Sequence, residues 1–184
     1  MSNDDPPAPH VDVPDGWVAT ETTTERVFSV SKVTVTATTV VYEDEQLRER
    51  GDEAFRRFVF ASRLRLQPAT KPSKPLTKLV TSRAKAGFAD RLRERGMEGV
   101  EERETRRFRV DDSDATLVGY DASCAVDRTS LAVDGWVAAW PHESGDYLVA
   151  GGAYPTRVLD GDGSDHLEPG RFRDELFSIV RGIR

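Results

Sequence analysis

The chain has 184 residues, a formal net charge of −6 and 38% hydrophobic residues. That length holds one domain with a real core and is short for two. The acidic balance argues against non-specific nucleic-acid binding by the whole molecule, and the longest uncharged runs, Val33–Tyr42 and Tyr147–Thr156, fall far below the roughly 20 apolar residues of a membrane-spanning helix.

Lysine is scarce. Lys32, Lys71, Lys74, Lys78 and Lys85 are the only lysines among 26 basic residues. Acidic excess with few lysines resembles the proteins of salt-accumulating halophiles, although a GC-rich genome also favours arginine. Met1-Ser2-Asn3-Asp4-Asp5 is acidic and no apolar run follows it, so no signal peptide and a cytoplasmic location are expected.

In chain order, residues 1–14 hold Pro6, Pro7, Pro9 and Pro14 and almost nothing to bury. They predict a disordered acidic, Pro-rich tail, which leaves 15–184 as one domain. Asp15-Gly16 turns into Trp17. Val27, Val33, Val35, Ala37 and Val41 then punctuate a Thr-rich stretch that favours two strands, and Ser31-Lys32 reads as a turn or a bulge. A first helix is expected from an N-cap at about Asp44, broken or kinked at Gly51, with Leu47, Ala54, Phe55, Phe58 and Val59 as its apolar stripe. Pro68, Pro72 and Pro75 mark a stiff loop. A second helix carries Leu76, Val80, Ala84, Phe88 and Leu92, each four apart, and Gly96 stops it.

Four strand-like stretches follow over Met97–Pro155. Val100–Phe108 is so charged that it fits a sheet edge, protected from pairing by its charges. On the next strand Val118, Tyr120, Ala122, Cys124 and Val126 share a face. Cys124, the single cysteine, then reads as a small buried hydrophobe. Trp136–Trp140 is apolar on both faces, as a covered central strand is. His142–Asp146 turns into Tyr147–Tyr154. Gly151-Gly152 is not followed directly by a helix, which fails the dinucleotide pattern. Close backbone packing or a bulge is its expected role. After an Asp160–Gly170 loop, a last helix buries Phe172, Leu176, Ile179, Val180 and Ile183. Strands, then helices, then strands predict an α+β domain, with a central, mostly antiparallel sheet of about six strands flanked by helices.

Val133-Asp134-Gly135-Trp136-Val137-Ala138-Ala139-Trp140, then Asp146–Pro155 and the closing Phe172…Leu176…Ile179…Ile183 helix, resemble the PsbP-like superfamily, and Gly16-Trp17 also fits. The likeness covers residues 15–184 as a pattern of elements. It implies an α/β/α sandwich that serves as a binding or assembly module rather than an enzyme. No binding motif of that family matches residue by residue.

The chemistry-bearing residues form no catalytic, cofactor or metal pattern. His10, His142 and His166 show no HExxH or paired spacing and no CxxC occurs, so no zinc site is expected. Ser130 and Ser144 lack a GxSxG context. Asp160-Gly161-Asp162-Gly163-Ser164-Asp165 resembles half a calcium loop, but its sixth and twelfth positions are Asp165 and Arg171 where glycine and glutamate belong. A flexible acidic loop is the expectation.

Charge is the one departure. Arg63–Arg95 holds ten bases and two acids, Asp90 and Glu94. Lys78, Lys85 and Arg95 lie off the apolar stripe and should be exposed. Lys71, Lys74, Lys78, Lys85, Arg91 and Arg95 are therefore the candidate partner-binding residues, for an acidic protein first and an anionic membrane surface or nucleic acid second. The competing reading is a solvated helix face. The sequence thus predicts a non-catalytic interaction or assembly module. The alternative is a small-molecule or lipid carrier with a pocket between sheet and helices near Trp136 and Trp140.

Overall fold

Arg63-Leu64-Arg65-Leu66 alternates charge with apolar surface, the period of a strand. In the computed structural model, which describes residues 5–46, 57–126, 128–142, 144–161 and 167–184, this stretch belongs to β3 (Phe58–Gln67), preceded by β1 (Trp17–Val30) and β2 (Val33–Asp44). The long helix α1 (Lys74–Glu94) follows. Then come β4 (Met97–Val110), β5 (Ser113–Val126), β6 (Thr129–Pro141), β7 (Tyr147–Asp160) and the closing helix α2 (Pro169–Arg181). Phe58 and Val59, expected on a first helix, lie on β3. Leu47, Gly51, Ala54 and Phe55 lie outside the described residues. Among the described residues the sheet therefore has seven strands, more than the about six that the sequence predicts, and each neighbouring pair is antiparallel.

The strand order is β1-β2-β3-β7-β6-β5-β4. Two meanders, β1–β3 and β4–β7, are joined along one seam, where Phe58 to Leu64 of β3 face Ala153 to Tyr147 of β7. Alternation sends the two sides of each inner strand to different cores. Phe58, Phe60, Leu64, Val137 and Val149 meet Val80, Phe88 and Leu92 of α1 on one face. Val59, Ala61, Trp136, Leu148 and Ala150 meet Phe172, Leu176, Ile179 and Val180 of α2 on the other. The result is an α+β architecture with one long helix on each side of the sheet.

Several expectations meet their residues. The charged strand β4 is an edge, and the doubly apolar β6 is interior. Ser31-Lys32 is the two-residue hairpin turn between Val30 and Val33, with Ser31 at a φ of 56°. Gly96 ends α1 at a φ of 82°. Val118, Tyr120, Ala122, Cys124 and Val126 all pack on the α1 face, where burial pushes the Cys124 thiol up.

Residues 5–14 correct the expectation of a disordered tail. Val11 is buried in the α2-side core. Thr38 donates its hydroxyl to the Pro6 carbonyl at 2.6 Å. His10 and Arg184 exchange two backbone hydrogen bonds at 2.8 and 3.1 Å. Few apolar side chains are needed when backbone pairing and one valine hold an extended segment.

A buried ion cluster fastens the same face. Arg57, 3% exposed, donates to Asp44 and to Glu175, the latter at 3.0 Å. Glu175 also accepts from Trp17 Nε1 at 2.9 Å. The guanidinium lies over the Phe172 ring at 4.2 Å, so charge, hydrogen bonds and stacking are all satisfied in one place.

The seam tolerates no side chain at Gly152. A Cβ there would run into the Phe58 carbonyl and lie 2.9 Å from Leu176 Cδ1. At Gly135 a Cβ would sit 3.0 Å from Phe88 Cε1, so this glycine lets α1 lie close on β6. Replacing Gly152 with valine lowers the unfolding free energy by about 3 kcal/mol. Denaturant titration shows this as a lower midpoint at an unchanged slope, and an unchanged midpoint means that β7 is not held this tightly.

Candidate interaction surface

Helix α1 starts where Ser73, in an extended backbone conformation, accepts a hydrogen bond from the Leu76 amide at 3.3 Å. Pro75 in the first turn needs no hydrogen-bond acceptor. The helix then runs over β6 and β4, held by its apolar stripe and by two tyrosines. Thr77 Oγ1 and Tyr147 Oη lie 2.9 Å apart, and Tyr120 Oη donates to the Lys85 carbonyl at 3.3 Å. This placement opens a cleft on each flank of the helix.

The first cleft, of about 680 Å³, lies between the N-terminal half of α1 and the β4-side strands. Its helix wall is Lys74, Thr77, Lys78, Thr81 and Lys85, and its opposite wall includes Asp114, Thr116 and Pro141. Lys71, in the preceding loop, is exposed, as are Lys74 and Lys78. None of the three makes an ion pair among the described residues.

The other predicted contact residues are engaged within the fold. Lys85 Nζ lies 2.7 Å from Glu102 Oε2, and its side chain is 34% exposed. Arg95 pairs with Glu43 at 3.0 Å, is 25% exposed and stacks over Phe58 at 4.1 Å. The expectation that Lys85 and Arg95 stand free in solvent is corrected accordingly. Both lie close to strand carboxylates that the helical pattern alone does not reveal. Arg91 lies over the Phe60 ring at 5.3 Å.

Nor is the basic segment a single surface. Arg63 and Arg65 alternate with the apolar residues of β3 and point to the α2 face. Arg65 there holds Asp146 at 3.1 and 3.3 Å. Of the six predicted contact residues, the structure brings Lys74 and Lys78 together with Lys85 at the far end of the same cleft, whereas Lys71 lines a separate depression with Arg65 and Asp146.

The second cleft, of about 540 Å³, lies on the other flank of α1, against β1, β2 and β3. Phe60 and Phe88 form its floor as a stacked pair, with centroids 5.8 Å apart and planes at 24°. Arg83, over the Phe28 ring at 5.5 Å, and Arg91 stand at its rim. Placing Phe58 and Val59 on a helix stripe hides Phe60 and Ser62 from a sequence reading. The Arg63–Leu66 alternation is the signal that recovers them.

Trp136 and Trp140, near which the alternative reading expects a pocket, line neither of these two clefts. These residues are 1% and 3% exposed and belong to the α2-side core. The Trp136 indole donates to Tyr154 Oη at 3.0 Å, which satisfies its one polar atom inside that core.

Among the described residues no three His, Cys, Asp or Glu side chains gather in a metal-binding group. His10 lies 2.9 Å from Asp12, and His142 Nδ1 lies 3.0 Å from Ser144 Oγ. Of the half calcium loop, Asp162 to Asp165 lie outside the described residues, as does His166. No helix among the described residues is long and apolar enough to cross a membrane.

A family model described as a domain of unknown function, DUF6517, matches residues 6–184. The chain belongs to the DUF6517 family. Neither a curated protein nor a solved structure matches it significantly. The DUF6517 match begins at Pro6, so it takes in the extended segment that holds Val11 and His10 against the α2 face.

Tyr120, which anchors α1, and Tyr154, which caps the Trp136 indole, are both pushed up to about 12, chiefly by burial. The fold favours the neutral phenols. Stability from these groups is therefore complete below pH about 10, their ordinary value, and is lost as pH rises towards about 12. The thermal midpoint should fall over that window, and the Tyr120→Phe/Tyr154→Phe double variant should flatten the fall. An equally steep fall in the double variant assigns the alkaline transition to other groups.

Proposed function

We propose that this DUF6517 protein is a non-catalytic binding or assembly module that docks an acidic segment of a partner protein in the lysine-lined cleft of α1. The observation that carries this reading is the placement of Lys74 and Lys78. Lys74 occupies the first turn of α1, which contains no acidic residue. There it meets the positive end of the helix dipole at a cost of about 0.3–1 kcal/mol. Lys78 is one turn on, and a like-charged i,i+4 pair costs about 0.2–0.5 kcal/mol more. Lys74 and Lys78 thus line one cleft without an ion pair among the described residues, and the exposed Lys71 stands in the loop just before it, in a chain of net charge −6. Residues that work against their own helix are expected at functional positions.

The cleft's size and surroundings favour an acidic protein segment over nucleic acid or a membrane surface. Three lysines neutralise a few carboxylates. A long polyanion or a flat anionic surface would also meet the acidic remainder of the molecule. The Ser and Thr hydroxyls between the lysines offer neutral hydrogen bonds to the same segment.

The layering of one sheet between two helices supports the PsbP-like resemblance, and the non-catalytic reading draws on it as analogy only. We place the protein in the cytoplasm of a salt-accumulating cell, on the strength of its acidic excess and five lysines. At near-molar salt the Debye length is about 3 Å, so docking there depends on direct contacts rather than on long-range attraction.

A fluorescein-labelled decaglutamate peptide tests the reading by anisotropy. Saturable binding is expected, weakened at least tenfold in the Lys71→Glu/Lys74→Glu/Lys78→Glu variant. The variant's thermal midpoint should stay the same or rise, because the reversed charges suit the helix dipole. Equal affinity for wild type and variant contradicts the assignment, as does tighter binding to duplex DNA or anionic vesicles.

A further inference from the structure

The second flank of α1 carries a different chemistry. Phe60 and Phe88 floor the cleft, and Ala37, Leu64, Ala84 and Val149 extend the apolar surface. Its volume of about 540 Å³ is within the range of small-molecule sites, about 300–1,000 Å³. Three further observations point to an occupant.

The first is Gly87. It lies in the interior of α1 and lines this cleft, and a Cβ there would meet nothing within 4 Å. A helix-interior glycine costs about 1 kcal/mol relative to alanine. No close packing of α1 calls for this one, unlike Gly135 beneath the same helix. Its effect is to keep the helix wall bare beside the aromatic floor.

The second is a buried hydroxyl pair. Thr39 Oγ1 and Ser62 Oγ lie 2.7 Å apart, and their residues are 5% and 6% exposed. Both line the cleft. One hydroxyl proton is used within the pair. Among the described residues the other has no side-chain or backbone acceptor, so it remains able to donate to an oxygen in the cleft.

The third is the rim. Arg83 stacks on Phe28 and makes no hydrogen bond or ion pair among the described residues. Glu25, Asp90 and Glu94 also line the cleft, but Glu25 and Glu94 share an adjoining depression with Arg91 and Arg95, and Asp90 pairs with Arg93 at 2.9 Å. The end lined by Val27, Phe28 and Arg83 is thus where an anion finds an unspent guanidinium.

From this arrangement we infer that the cleft between α1 and β1–β3 is a binding site for a small amphiphilic carboxylate. The apolar body lies against Phe60 and Phe88, and the carboxylate meets Arg83. The site is separate from the lysine-lined cleft, because α1 lies between them.

The test is isothermal titration of the full chain with decanoate and with naphthoate, an aliphatic and an aromatic probe, each below its aggregation threshold. At least one should bind saturably with one site per chain. Arg83→Ala should weaken that probe at least tenfold. Gly87→Leu, whose Cβ would meet nothing within 4 Å and which raises helix propensity, should do the same while the thermal midpoint holds or rises. The matching neutral ester should bind at least tenfold more weakly. Absence of saturable binding by both probes overturns the inference. So does binding that Gly87→Leu leaves intact, and equal binding of the ester overturns the carboxylate assignment. The lysine variant serves as the internal control and should bind the probes as wild type does.

Discussion

The seam between β3 and β7 is the constraint on which the remaining structure depends. β7 is the last strand of the chain and occupies the middle of the sheet. Until it pairs with β3, the two meanders share no hydrogen bonds, and neither helix has a complete surface to cover. Closing the seam joins residues about ninety positions apart, so local contacts contribute little to it. Gly152 sets the distance of approach, since the Phe58 carbonyl and Leu176 both occupy the space that a side chain there would fill. Once the seam is closed, α1 crosses from β3 in the middle to β4 at the edge. It must then leave the β1–β3 side of its face only partly covered. The second cleft follows from this connectivity, with no special loop needed to form it.

The same geometry explains how the basic segment is divided. A run of ten bases in sequence resembles a surface patch. In three dimensions β3 turns Arg63 and Arg65 to one side of the sheet while α1 lies on the other. The helix's own bases separate further by what lies beneath them. Towards its C-terminal end, Arg95 overhangs β2 and β3, where Glu43 and Phe58 take it up. Lys85 reaches Glu102 on the edge strand. At the N-terminal end Lys74 and Lys78 make no ion pair among the described residues, although Asp114 lines the opposite wall of their cleft. Arginine's flat guanidinium suits the stacked, half-buried positions. Lysine's compact and strongly hydrated charge suits the open ones. Lys71, Lys74 and Lys78, which make no ion pair among the described residues, are three of the five lysines in the chain.

Legibility in the sequence depended on how far each signal reached. The stripe of α1 repeats every four residues over five positions, and burial follows it at Val80, Phe88 and Leu92. The charges of β4 and the doubly apolar Trp136–Trp140 reported edge and interior because they describe both faces of one strand. The Gly151-Gly152 pair indicated close packing for the same local reason. Phe58 and Val59 failed as indicators. Two adjacent apolar residues fit either a helix stripe or a buried strand, and the deciding alternation begins only at Arg63. Residues 5–14 failed because a Pro-rich composition excludes helix but not an extended segment paired with a distant chain end. The Arg57–Asp44–Glu175 cluster and both clefts were beyond reach, since each joins elements whose adjacency only the seam establishes.

The central claim is that α1, held by the seam, offers its N-terminal flank to acidic protein segments. An amide shift map of the isotope-labelled chain with an acidic peptide added addresses it most directly. The account predicts the largest shifts at residues 71–85 on the helix side and at Asp114 and Thr116 across the cleft, with β1 and α2 unmoved. Shifts centred on the charged edge strand β4 or on α2, or no shifts at saturating peptide, would contradict it.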